Sequence, residues 1–154
     1  MSRKLLVDTN ILLDAAMGER PGWAAATMLI DEITYEDVHG YVCAGSLKDV
    51  YYVLTKYADE KAAREFIVAL MDLFEVVAID YALCHIAATS DEPDFEDGLI
   101  RACAESVPVD FIISRDEKAF KRSPIKRLSA QDYLDLFCEV DEVSPAPQTP
   151  EEKE

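Results

Sequence analysis

Five aspartates stand where apolar runs end or helices begin. Asp8 separates two apolar triplets in "LLVDTNILLD", Asp116 follows the apolar run of "DFIISRDEKAF", Asp97 opens "FEDGLIRACAES" with Asp94 three residues before it, and Asp49 comes early in "SLKDVYYVL". A carboxylate buried between apolar runs is costly unless something pairs with it. Asp8 is therefore either paired or placed at the rim of a sheet. Asp49, Asp94 and Asp97, each taken alone, suit the preference for acids in the first turn of a helix. Taken together with Asp8 and Asp116 they form a set of oxygen donors. Carboxylates gathered at one place repel one another and hold their protons more tightly unless a cation neutralises them. The hard cations suited to a few carboxylates plus water and phosphate are Mg2+ and Mn2+.

These residues need elements to position them. Residues 4–8 read as a buried strand and residues 10–16 as a short helix, with a second helix over 22–33. "GYVCAG" (40–45) reads as a second strand bounded by glycines, followed by a helix that Ser46 caps. Asp59 caps the next helix, "EVVAID" (75–80) is a third strand and "YALCHIAATS" a helix after it. Asp94 or its neighbour opens the helix that holds Asp97, "DFIIS" (110–114) is a fourth strand, and residues 125–128 are a short fifth before a helix capped by Ser129. Strands alternating with helices predict an α/β fold with a parallel sheet covered on both faces. Ligands of such sheets bind beyond the carboxyl ends of the strands, at a topological switch point. Asp8 and Asp116 follow strands there.

Composition narrows the rest. A chain of 154 residues, half of them hydrophobic, suits one domain with a real core. The last sixteen residues, "EVDEVSPAPQTPEEKE", hold three prolines and six acids against one lysine. They read as a disordered acidic tail (139–154) beyond a domain of 1–138. No apolar run is long enough for a membrane span and the N-terminus lacks the pattern of a signal peptide, so the expected location is the cytoplasm. Cys43, Cys84, Cys103 and Cys138 are widely spaced with no CxxC pair, which predicts buried reduced thiols rather than a zinc or redox motif. His39 and His85 are isolated, which argues against a histidine-dependent triad. The net charge of -16 opposes simple electrostatic attraction to nucleic acid. No P-loop or GxGxxG is present.

The succession "LLVDTNILLD", "GSLKDVYYVL", "DFEDGLIRACAES", "DFIISRDEKAF" resembles the PIN-domain family of metal-dependent ribonucleases, and within it the small single-domain bacterial proteins that include VapC-type toxins. The resemblance spans residues 4–137. It implies a three-layer α/β/α sandwich around a mostly parallel sheet of four to five strands. It also implies that Asp8, Asp97 and Asp116 are metal ligands and catalytic residues, while Asn10 and Ser114 orient them. Asp94, on the face of Asp97, joins that supporting set. The fourth metal-binding and catalytic residue that the resemblance implies is Asp49: the family usually has a glutamate there, and aspartate keeps the charge and loses a methylene of reach.

The implied reaction is hydrolysis of an RNA phosphodiester with Mg2+ or Mn2+ as cofactor, leaving a 5'-phosphate and a 3'-hydroxyl. Arg115, Lys118, Lys121 and Arg122, close to Asp116, are candidate RNA contacts; the other reading of this run is a solvated stretch balancing nearby acids. Two further enzyme classes place acids at strand ends. A haloacid-dehalogenase-type phosphatase needs an acid where Asn10 stands, and a response-regulator receiver needs a lysine where Ser114 and Arg115 stand. The remaining alternative is a non-catalytic PIN-like scaffold with a vestigial acidic site. If the chain is a toxin, an antitoxin segment covers the groove. The apolar surplus over residues 23–33 and 51–74 points to a homodimer.

Overall fold

The computed structural model describes residues 2–35 and 37–138, so the acidic tail expected from 139 onward lies outside the described residues. The elements in chain order are β1 (Arg3–Val7), α1 (Thr9–Ala16), α2 (Trp23–Tyr35), β2 (Val38–Cys43), α3 (Ala44–Tyr57), α4 (Glu60–Leu73), β3 (Glu75–Val77), α5 (Tyr81–Ala88), α6 (Phe95–Glu105), β4 (Phe111–Ile113), β5 (Lys126–Leu128) and α7 (Ala130–Phe137). The five strands form one sheet in the order β3-β2-β1-β4-β5, and every pairing is parallel.

Both faces of the sheet are covered, which explains why β1 is apolar throughout rather than alternating. Leu5 and Val7 pack with Leu12, Leu29, Val50 and Tyr133 from α1, α2, α3 and α7. Leu6, between them, points to the opposite face and joins Ile112, Ile100 and Cys103. Successive side chains of a strand alternate between faces, so one strand serves both cores. The result is the three-layer α/β/α arrangement that the alternation of strands and helices predicts.

The elements depart from the sequence reading in three places. β2 begins at Val38 rather than at Gly40, because Val38 pairs with Arg3 at the start of β1. Gly40 lies inside the strand, and a Cβ there would sit 2.6 Å from the Phe74 ring. Glycine is needed at that point because a ring packs directly on the backbone. β3 stops at Val77 instead of running to Asp80, since its partner β2 ends at Cys43, opposite Val77. Ser46 does not cap α3: the helix starts at Ala44 directly from the strand, and Cys43 is the capping position, with no side-chain hydrogen bond. Asp59, Asp94 and Ser129 do cap α4, α6 and α7, each accepting a backbone N–H from the first turn.

From β1 the chain builds outward through β2 to β3, then crosses to β4 on the other side of β1. The carboxyl ends of β1 and β4 are therefore the switch point of the sheet. The residues that emerge there are Asp8 and Ser114.

Candidate active site

Asp8 is only 7% exposed and has three hydrogen-bond donors around it. As the N-cap of α1 it accepts the Thr9 N–H at Oδ1 (2.7 Å). At Oδ2 it accepts the Ser114 hydroxyl (2.7 Å) and the Asn10 amide (3.4 Å). A carboxylate offers about four acceptor positions, so Oδ1 keeps one free. Burial raises the Asp8 carboxyl above its usual range, with Asp116 and Glu96 adding to it, against the lowering effect of Ser114 and Thr9.

Ser114 is fully buried, and its hydroxyl uses its whole capacity. It donates to Asp8, and it accepts from Asn10 Nδ2 (3.3 Å) and from the Asp116 N–H (3.1 Å). Asn10 also accepts the Arg115 N–H at Oδ1 (3.4 Å). The ends of β1 and β4 are thus stitched together by three polar side chains, and the first residues after β4 are held in place by the same group.

Asp8, Asp49, Asp94, Asp97 and Asp116 line one open cleft of about 460 Å³, together with Asn10, Ser46 and Glu96. Asp94 caps α6 by accepting the Asp97 N–H (2.8 Å), so its position follows from the helix start. Gly98 lets α6 approach α5: a Cβ there would meet the Ala87 carbonyl oxygen at 2.7 Å. Asp97 is pushed up to about 7, first by desolvation and then by the negative charges of Asp94, Asp116, Asp8 and Glu92. Asp116 acts on both Asp8 and Asp97. Asp49 stands apart from this mutual repulsion; desolvation raises it and the neighbouring Lys48 lowers it.

Among the described residues, no group of three Asp, Glu, His or Cys side chains is arranged to hold a metal ion as it stands. The donor chemistry nevertheless fits a hard cation. The set is all oxygen, and Asp97 is pushed up to about 7 first by burial and then by its negative neighbours, a repulsion that a cation offsets.

The basic stretch divides. Arg115 pairs with the buried Asp14 (3.1 Å), and Arg122 pairs with Asp91 (2.9 Å). Lys118 and Lys121 are exposed and their side chains have no partner among the described residues. Sequence reasoning missed what fixes this segment. Phe120 has a left-handed backbone (φ 69°), and its N–H is held by Glu92 Oε1 (2.8 Å). Arg101 on α6 grips the other oxygen of Glu92 (3.0 Å) and also binds Asp91 and Glu105. It missed as well that Thr9 donates to Ser46 (2.7 Å), tying α1 to α3 across the cleft floor. His39 and His85 are exposed and do not line the cleft; His39 faces Glu75 (2.7 Å).

The PIN domain family matches residues 4–118, most of the chain, and the chain belongs to that family. Among solved structures it is similar to VapC20 of Mycobacterium tuberculosis, a sarcin-ricin-loop-cleaving toxin, with a TM-score of 0.60 and 14% identity over 70% of this chain and 86% of that one. It is similar to a toxin-antitoxin complex from Klebsiella pneumoniae, with a TM-score of 0.63 and 19% identity over 82% and 97% of the two chains. VapBC-1 from nontypeable Haemophilus influenzae gives a TM-score of 0.60 at 12% identity over 83% and 98%. At such identities the likeness is one of fold. No curated protein matches the chain in sequence.

Proposed function

We propose that this protein is a divalent-cation-dependent endoribonuclease that hydrolyses RNA phosphodiester bonds and acts as the toxin of a toxin-antitoxin pair. The observation that carries the reading is the electrostatic coupling of Asp8, Asp97 and Asp116 in one cleft at the β1–β4 switch point. Membership of the PIN-domain family and a fold shared with VapC toxins support it.

Asp8, Asp97 and Asp116 would hold the cation, and Asp49 would support it through water. Mg2+ or Mn2+ supplies Lewis-acid chemistry, which makes water nucleophilic near neutral pH and offsets charge developing on the phosphate. The chain itself orients the ligands: Ser114 and Asn10 fix Asp8, Asp94 fixes the start of α6 and so Asp97, and Ser114 anchors the Asp116 backbone. Lys118 and Lys121 provide positive charge for RNA phosphates beside a cleft that is otherwise acidic.

An antitoxin segment and a second copy of the chain are the protein partners. Exposed apolar side chains on α2, α3 and α4, among them Trp23, Met28, Tyr52, Val68 and Met71, support such contacts. Among the described residues no helix is long and apolar enough to cross a membrane; the proposed location is the cytoplasm.

The second reading, a PIN-like scaffold without catalysis, is favoured by one observation: burial and Lys48, and none of the other carboxylates, shift Asp49. A cleavage assay on structured and unstructured RNAs separates the two. Cleavage with Mg2+ or Mn2+, lost in Asp8→Asn, supports the nuclease; absence of any cleavage by the wild type in either metal supports the scaffold.

A further inference from the structure

Cys43 Sγ and Cys103 Sγ lie 3.1 Å apart, although the residues are 60 positions apart in the chain. Both are buried, at 1% and 0% exposure, and neither is part of a disulfide. Cys43 ends β2 at the start of α3, and Cys103 is on α6. Cys43 also lines the floor of the acidic cleft, so a small solute entering the cleft reaches its surroundings. Cys103 lies wholly in the core behind it. A disulfide has an S–S separation near 2.05 Å, so closing the bond asks for a shift of only about 1 Å.

We propose that Cys43 and Cys103 are a dithiol oxidised by hydrogen peroxide, closing a disulfide beneath the cleft with Cys43 as the attacking sulfur and Cys103 as the resolving one. In the first step the Cys43 sulfur attacks one peroxide oxygen and the O–O bond breaks. The departing hydroxide takes up the thiol proton as water, Cys43 is oxidised to a sulfenic acid and the peroxide is reduced. In the second step the Cys103 sulfur attacks the Cys43 sulfur, the S–O bond breaks, and the hydroxyl leaves as water with the Cys103 proton. Two thiols and one peroxide give one disulfide and two waters.

The order of the two sulfurs follows from their surroundings. The thiol of Cys103 donates to the Cys43 sulfur and favours negative charge there, aided by the Gly45 and Ser46 amides that open α3, against burial and the charge of Asp8. The same contact, with burial, holds Cys103 in its protonated form. The bond would join the β2–α3 junction to α6, the two elements that carry Asp49 and Asp97. This proposal stands apart from the cation and from RNA.

The test uses the full, reduced wild-type chain. It is exposed to equimolar hydrogen peroxide, then denatured in an alkylating reagent, digested and analysed by mass spectrometry. The expected result is a peptide linking Cys43 to Cys103, lighter by two hydrogens than its parts and opened by dithiothreitol, with Cys84 and Cys138 still alkylated. In Cys103→Ala, Cys43 stops at the sulfenic acid and is captured by dimedone. Recovery of both Cys43 and Cys103 in alkylated form from the peroxide-treated wild type overturns the proposal, and so does a bond from either of them to Cys84.

Discussion

The hydroxyl of Ser114 donates to Asp8 Oδ2 at 2.7 Å, joining the residues that follow two adjacent strands 106 positions apart in the chain. The same oxygen accepts from Asn10 and from the Asp116 backbone. One buried hydroxyl therefore sets the position of two candidate ligands. Ser114→Ala leaves the Asp116 N–H and one lone pair of Asp8 without their partner, which destabilises the fold by about 1–2 kcal/mol. It also weakens Mn2+ binding. Urea denaturation and a Mn2+ titration measure the two effects; a variant of unchanged stability and affinity would show that the hydroxyl positions nothing.

Asp97 gives stability a pH dependence of definite sign. Its native carboxyl is pushed up to about 7, from 3.8 for an ordinary aspartate. Between those values the native state binds more protons than the unfolded one, so stability falls as pH rises through that window. The metal-free protein melts lower at about pH 8 than at about pH 5. Asp97→Asn flattens this slope, while Asp8, also raised, leaves a residue of it. Mn2+ binds ionised carboxylates, so its stabilisation grows over the same range. An unaltered slope in Asp97→Asn melts would remove Asp97 from the repulsive cluster.

Asp49 is the proposed ligand that the other carboxylates do not shift: burial raises it and Lys48 lowers it. A contact through water predicts that Asp49→Ala lowers Mn2+ affinity by about tenfold. Asp49→Glu, which restores a methylene of reach, keeps or raises it. Calorimetric titration of the three proteins decides; identical affinities would make Asp49 an acid of the helix start and nothing more.

Glu92 holds the segment after Asp116. Its side chain is 2% exposed, with one oxygen on Arg101 and the other on the Phe120 N–H. Glu92→Gln keeps an acceptor for Phe120 and costs about 1 kcal/mol, since Arg101 retains Asp91 and Glu105. Glu92→Ala strands the N–H of a residue with a strained backbone and costs about 2 kcal/mol or more. Thermal denaturation ranks the two; equal stabilities would mean that Phe120 is held by its buried ring alone.

Much of this was legible because it is local. A strand that ends in "DTN", caps at Asp59, Asp94 and Ser129, and the alternation of strands with helices all leave signals within a few residues. The cleft that gathers Asp8, Asp97 and Asp116 follows from placing those ends at one rim of a parallel sheet. Contacts between distant parts of the chain leave no such spacing. Gly40 looked like a strand boundary because Phe74, which packs on it, is far along the sequence. Ser46 had the residue type of a cap, yet its hydroxyl serves Thr9. The acids that engage Arg115 and Arg122, and the meeting of Cys43 with Cys103, appear only once the layers are assembled.

Thermal melts of the wild type and Asp8→Asn, each with and without Mn2+, test most directly whether Asp8 stands at the sheet rim to hold a cation. Asparagine still caps α1 through its carbonyl oxygen, and it removes a buried charge that the native state holds at some cost. The predicted result is a metal-free variant that melts within a few degrees of the wild type, while the rise in Tm that Mn2+ gives the wild type by binding the native state is largely lost. A variant that melts far below the wild type by the same margin with and without Mn2+ would contradict the account, and would make Asp8 a structural residue held by Thr9, Asn10 and Ser114.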